Sequence, residues 1–470
     1  MWIQLFIVVT YIFVLFGISF YVKRRASANS TQFLFAGRQL SPALVAANIA
    51  GTAVGAASTI GVAENAFQVG IAAGFYNVAW SAGAVAMALF AAGKYRELNC
   101  TTIPELFERY YDVKGRVISV VGLITIQLVI TSLQYLAGGA ILSSLLPEVF
   151  SFKGGMITSA FVFIGTTLIG GLWASGISNL LSVALIYGGV IIGTVETVSR
   201  QGGLLTIAAS LPPGTDWFGP VGGLGLATIV GWFAVMITQT ITAQGPVQVA
   251  CAAKDGKAAK KGFLLGALII FPVGFLCAIL GVAARVAYPD IQATMALPQV
   301  ILALNPVLAG VTLAALWAAD VATACHILLG AGTLFAQDIF KRFLCPRISD
   351  EKYVIANRLT IFGLGIFTLW LAFNAVDIIK TILIGLSLTT AFTAVFLFTI
   401  FAPGLCRKNS AFYTTLAGML GLLAWQLFPQ VRIFAHPIYM EWLVCLIAFF
   451  AVTVFDSQNI KIAAKLQEHS

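Results

Sequence analysis

Apolar runs of about twenty residues, parted by short polar loops, recur along nearly the whole chain. Crossing a bilayer core takes about 20 mostly apolar residues in a helix. About thirteen runs qualify: 3–22, 41–66, 69–93, 117–146, 154–173, 177–199, 225–247, 262–287, 305–336, 355–375, 378–403, 411–428 and 435–455, numbered here as spans 1 to 13. The pattern predicts an all-α polytopic membrane protein. The composition agrees, being 59% hydrophobic and 10% charged with a mean hydropathy of +0.95, far from that of a soluble domain.

Charge gives the pattern a direction. With the N-terminus outside, the 27 Lys and Arg residues gather on the cytoplasmic side, leaving Lys153, Arg200, Arg285, Lys380 and Arg432 elsewhere. The positive-inside rule therefore predicts an outside N-terminus and an inside C-terminus; the expected location is the plasma membrane, of prokaryotic inner-membrane type. The net charge of +9 is spread over short loops facing anionic lipid. It does not form the basic array with interleaved aromatics that nucleic acid would require. Seven cysteines show no metal or redox spacing, and Cys251, Cys277, Cys325 and Cys445 fall in or beside apolar runs. The first run has no preceding basic segment and no small-residue cleavage site, so it reads as a retained span.

Two spans are interrupted. Span 2 carries Asn48, Gly51, Thr52, Gly55, Ser58, Thr59 and Gly61 and ends near Glu64, whereas span 7 carries Gln239, Thr240, Thr242, Gln244, Gly245 and Pro246. Polar and helix-breaking residues at membrane depth need a protein-lined cavity or a buried backbone. Each interrupted span opens a set of five, and a shift of five spans reverses orientation. That is the footprint of an inverted repeat with a site near the midplane. The expected organisation is one transporter domain: an extra N-terminal span and loop (1–40), a first repeat (41–200), a second repeat (225–403), and two further spans with a tail (404–470). Glycine and threonine can also simply pack helices together.

Several motifs, in order, resemble the sodium:solute symporter family. These are Phe35-Ala36-Gly37-Arg38 with Leu40-Ser41-Pro42, Thr102-Ile103-Pro104-Glu105 with Arg109-Tyr110, Gly170-Gly171-Leu172-Trp173-Ala174, Gln244 and Gln248 with Ala252-Ala253-Lys254, and Asp338-Ile339-Phe340-Lys341. The resemblance spans nearly the whole length and implies a LeuT-type fold of ten core helices in a 5+5 inverted repeat. It also implies a Na⁺ ion held between span 2 and span 9, by the carbonyls of Gly51, Val54 and Ala319 and by side chains at 322 and 323. Here these are Ala322 and Thr323, so one family hydroxyl is missing. At a second sodium position used by some members, the chain has Ser178-Asn179 with Cys325 and His326, which implies no second sodium there.

Ionisable groups inside a span are functional suspects because they are costly to bury. Asp320 lies roughly 60° from Thr323 around the helix. It could strengthen Na⁺ binding, take a proton, or be a buried acid satisfied by neighbours. His326 could relay protons or be a packed neutral ring. Glu64 could be a solvated gate acid or a ligand for a cationic solute. The solute pocket should draw on Thr52, Ser58, Gln134, Thr240 and Gln244, with Gln134 equally able to bridge helices. Trp232 and Phe233, or Phe75 and Tyr76, could gate it or merely pack. Ala243 replaces an amide typical of sugar-transporting members, which favours an amino acid, carboxylate or cationic metabolite. No phosphate loop or metal-protease motif occurs, so an enzyme is not expected and no organic cofactor is implied. The expected function is Na⁺-coupled uptake of a small organic solute by alternating access. Proton coupling through Asp320 and His326, an uncoupled channel, and a non-transporting solute sensor remain alternatives.

Overall fold

The computed structural model of the chain describes residues 2–98, 100–373 and 385–458. Lys380, the start of span 11 and the tail bearing His469 lie outside the described residues. Among those described, eight helices are long and apolar enough to cross a membrane, or ten if each of two bent pairs counts as one span. The thirteen expected runs are not all resolved by that measure. Spans 5 and 6 share one helical stretch, Phe152–Arg200, and only the helix from residue 385 to Phe401 represents span 11. Span 12 is a helix, Ser410–Leu427, whose apolarity is diluted by Ser410, Thr414, Thr415 and Gln426.

Phe152–Arg200 has 49 residues, which as a straight rod would run far beyond a bilayer core of about 30 Å. Side-chain contacts show that it doubles back. Ser159 accepts the indole N–H of Trp317 at 2.9 Å, Trp317 lies edge-on to Tyr11 at 6.2 Å, and the Tyr11 hydroxyl lies 2.9 Å from that of Ser182. Ser159 and Ser182 are therefore much nearer than the roughly 34 Å that a straight helix would put between them, and the break falls midway, at Gly171 with φ +52° and ψ −144°. A Cβ there would strike the Phe33 carbonyl. Gly171→Ala should accordingly cost roughly 1–3 kcal/mol and lower the melting midpoint in detergent, whereas Gly188→Ala, with open space around it, should not.

Both interrupted spans are broken as expected. Span 2 consists of Pro42–Ala53 and Ala57–Val69, bent by 60°, and span 7 of Leu226–Thr242 and Gln244–Ala252, bent by 48°. Ser41 caps the first half-helix with Pro42 just inside it, a strong start signal. Val54, at φ −93° and ψ +68°, leaves the helical region and ends the first half. In span 7 the break is the extended Ala243. The two broken spans are joined by backbone: Leu40 N–H donates to the Ala252 carbonyl at 3.0 Å, and Lys254 N–H donates to the Leu40 carbonyl at 3.1 Å.

Of the eight long apolar helices, span 9 is the most enclosed, with 83% of its apolar window buried, and it packs on spans 1, 4, 5 and 6. At its far end Asp338 accepts from Arg116 at 2.5 Å and from the Thr102 hydroxyl at 3.0 Å. Arg116 also reaches Glu108 at 2.5 Å, and Glu108 pairs with Arg342 at 2.6 Å. This network ties the start of span 4 and the short helix Ile103–Tyr110 to the end of span 9. Hydrogen bonding from Arg342, and then from Arg116, holds the Glu108 carboxyl below its usual range.

Candidate functional site

The break in span 2 exposes backbone oxygens where a continuous helix would have used them. Ala56 N–H, which helical geometry would send to the Thr52 carbonyl, donates instead to Gln134 Oε1 at 3.1 Å. The Thr323 hydroxyl of span 9 donates to the Gly51 carbonyl at 2.7 Å. Gly55 faces the same hydroxyl so closely that a Cβ could not be accommodated. The span 2 break and Thr323, paired from sequence, are thus in direct contact.

A central cavity of about 510 Å³, open mouth included, lies beside this contact. Thr52, Gln134 and Thr323 line it, with Tyr76, Trp80, Gln127, Gln239, Ala243, Gly245 and Leu386. No ionised side chain is among the lining residues. Three sequence candidates are spent elsewhere. Ser58 donates to the Ala53 carbonyl, mending the break from within, and Thr240 donates to the Met236 carbonyl at 2.6 Å. Gln244 donates to the Thr101 carbonyl at 3.1 Å. Of the proposed gates, Trp232 packs edge-on against Tyr76 at 5.9 Å, while Phe75 packs on Phe275 at 5.6 Å.

Some lining residues had an overlooked signal. Gln127 precedes Gln134 by two turns and shares its face, and Trp80 follows Tyr76 by one turn. Gln239 was visible in the interrupted stretch of span 7. Leu386 had no signal, being an ordinary apolar residue of span 11.

A second cavity, of about 310 Å³ with its open mouth included, lies among spans 1, 5, 6 and 9. Ser19, Thr166, Thr167, Ser178, Asn179, Ser182, Ala322 and Cys325 line it. Ala322 thus presents a methyl to this space and offers no side-chain oxygen to an ion. The Asn179 amide packs against Gly51 and leaves Oδ1 without a hydrogen-bond partner among the described residues. His326 meets the break of span 7, its Nε2 lying 3.2 Å from the Gly245 carbonyl. Asp320 lines neither cavity. Its carboxyl faces Gly138 of span 4, turned away from Gly51, so it does not stand in for the missing hydroxyl at 322. Glu64, half-buried in the second half of span 2, also lines neither. Among the described residues no cluster of three His, Cys, Asp or Glu side chains could hold a metal ion, so the oxygen chemistry on hand is that of carbonyls and hydroxyls, suited to a hard monovalent cation.

Two broken helices meeting an enclosed span across an uncharged cavity are the architecture of a carrier, unlike a pore lined by charged rings or filter repeats. The sodium:solute symporter family profile matches residues 33–418, and the chain belongs to that family. It is 26% identical over 400 residues to a sodium/glucose cotransporter of Vibrio parahaemolyticus, covering 76% of this chain and 72% of that protein. Identity to a sodium/proline symporter of Staphylococcus aureus is 22% over 448 residues, covering 90% and 86%. The fold matches a substrate-bound, outward-open Na⁺-coupled sialic acid symporter with a TM-score of 0.83 at 18% identity, covering 98% of this chain and 99% of that one. Mhp1, a nucleobase-cation-symport-1 family transporter in a closed conformation with bromovinylhydantoin, matches with a TM-score of 0.65 at 13% identity, covering 93% and 98%. The fold is LeuT-type, and the chain is a multi-pass, Na⁺-coupled solute symporter.

Proposed function

We propose that the transported solute is small and carries no net charge, with a zwitterionic amino acid as the best fit. The carrying observation is the central cavity wall, which sets Gln127, Gln134, Gln239 and Thr52 beside Tyr76 and Trp80 with no ionised group among them. A net-cationic solute would lose its hydration without meeting an acid, which is prohibitive in a dry site. A zwitterion fares better. Its carboxylate can lie toward a bound Na⁺, and its ammonium can meet amide oxygens and the faces of Tyr76 and Trp80. Ala243 offers a methyl where a sugar would want an amide.

The residues of the span 2 break fit Na⁺. Gly51, Val54 and Ala319 would supply carbonyls and Thr323 its hydroxyl. The unpartnered Oδ1 of Asn179, packed on Gly51, makes up for the oxygen that Ala322 lacks. Ion binding there would draw span 9 onto the first half of span 2 and favour the conformation that presents the solute cavity. His326, hydrogen-bonded to the Gly245 carbonyl, holds the span 7 break in place and has no part in proton relay. The two repeats, 41–200 and 225–403, would rock about this contact.

In proteoliposomes with an imposed Na⁺ gradient, labelled neutral amino acids should accumulate, and lysine, arginine and dicarboxylates should fail to compete. Competition by the cationic amino acids would overturn the assignment. Gln134→Ala should raise the solute KM about tenfold, since it removes a buried amide partner worth about 1–2 kcal/mol. For topology, we place the N-terminus outside and the C-terminus within the cytoplasm of a bacterial cell. Cys345, exposed beyond span 9, should then resist a membrane-impermeant maleimide on intact cells and react in inverted vesicles.

A further inference from the structure

A carboxyl group without a partner stands at membrane depth. Asp320 is 1% exposed, and neither of its oxygens has a hydrogen-bond partner among the described residues. No Lys, Arg or His lies within ion-pair distance of it among them. An uncompensated carboxylate in such a place is too costly to keep. Its surroundings contain a second oxygen ligand. A Cβ on Gly138 would lie 3.1 Å from Asp320 Oδ2 and would also collide with the Ser159 hydroxyl. Both groups therefore converge on the Cα of Gly138, between spans 4, 5 and 9, where the lack of a side chain lets them approach. Ser159 Oγ already accepts the Trp317 indole N–H and has a further lone pair to offer. This spot lies about one helical turn from Thr323 along span 9 and roughly 60° around it, and it lines neither of the two cavities.

We propose that Asp320 and Ser159 form a second monovalent-cation site, taking Na⁺, separate from the Gly51–Thr323 site. The ion supplies the charge that the buried carboxylate lacks, and the oxygen ligands suit a hard cation. This proposal rests on the Na⁺-coupled reading of the chain but not on the location of the first site.

The test needs no transported solute. Equilibrium binding of radioactive Na⁺ to purified, monodisperse protein should saturate at roughly two ions per chain. Asp320→Asn should leave roughly one, as should Thr323→Ala, and the double variant should bind none. Should Asp320→Asn not remain monodisperse, Ser159→Ala decides, with the half-saturating Na⁺ of one ion raised at least about fivefold. Saturation of the unaltered protein at one ion overturns the proposal. So does two-ion binding by Asp320→Asn, or an unchanged isotherm for Ser159→Ala; one ion in the unaltered protein with none in Thr323→Ala would mean that Asp320 is carried as a neutral acid. Loss of one ion in Asp320→Asn with both retained in Thr323→Ala supports this site and overturns the placement of the first.

Discussion

Thr323→Ala should weaken one Na⁺ site by well over about tenfold, more than about 1.4 kcal/mol, so that its ion drops out of the measured isotherm, while Thr323→Ser stays within about threefold. The reason is geometric. The Thr323 hydroxyl lies 2.7 Å from the Gly51 carbonyl, and with Ala322 lacking an oxygen, Thr323 is the side-chain hydroxyl that span 9 brings to the break. Alanine removes both a ligand and the hydrogen bond across the two spans; serine keeps the oxygen and loses a methyl. Protein yield from membranes should fall far less than Na⁺ affinity. Equal losses in yield and affinity, or a serine variant as weak as alanine, would show that residue 323 only packs.

Arg116→Ala should be the most destabilising of these single substitutions. It leaves Asp338, whose side chain is 0% exposed, as a buried carboxylate stripped of its cation, a change worth about 3–5 kcal/mol. The expected result is a melting midpoint in detergent lowered by several degrees and a large loss of folded protein. Replacing both members, as in Arg116→Leu with Asp338→Leu, should recover part of the loss, because no uncompensated charge remains. The exposed side of the network should respond to acid. Glu108 has a folded-state pKa below its unfolded value. Its contribution is therefore complete above the ordinary glutamate value of about 4.3 and fades as pH falls through the lowered one. Glu108→Gln should be less stable at neutral pH, and the gap should close in strong acid, as thermal melts across pH would reveal.

The broken spans were legible because proline, glycine and uncharged polar residues are tolerated at membrane depth only where protein covers the backbone or a cavity meets it. The contact between Gly51 and Thr323 followed from family resemblance, since nothing in local pattern links residues 272 positions apart. The cavity wall was harder to read. Ser58, Thr240 and Gln244 are polar residues in an interrupted stretch, yet each bonds to backbone: Ser58 to the end of its own broken half-helix, Thr240 to the turn before it, and Gln244 to Thr101 ahead of the helix Ile103–Tyr110. Hydropathy cannot tell a hydroxyl that mends a helix from one that faces a solute. Gln127 and Trp80 were recoverable by helical spacing from Gln134 and Tyr76. The aim of Asp320 was not, because roughly 60° of helix rotation separates an ion ligand from a neighbour of Gly138, and only packing sets that angle.

The link between Leu40 and Ala252 to Lys254 is made by peptide groups alone. Side-chain replacement therefore cannot easily dissolve it, and drift in sequence can reshape the solute chamber while the two half-helices stay tied to each other. Relatives could in this way exchange cargo without having to reinvent the machinery that moves it.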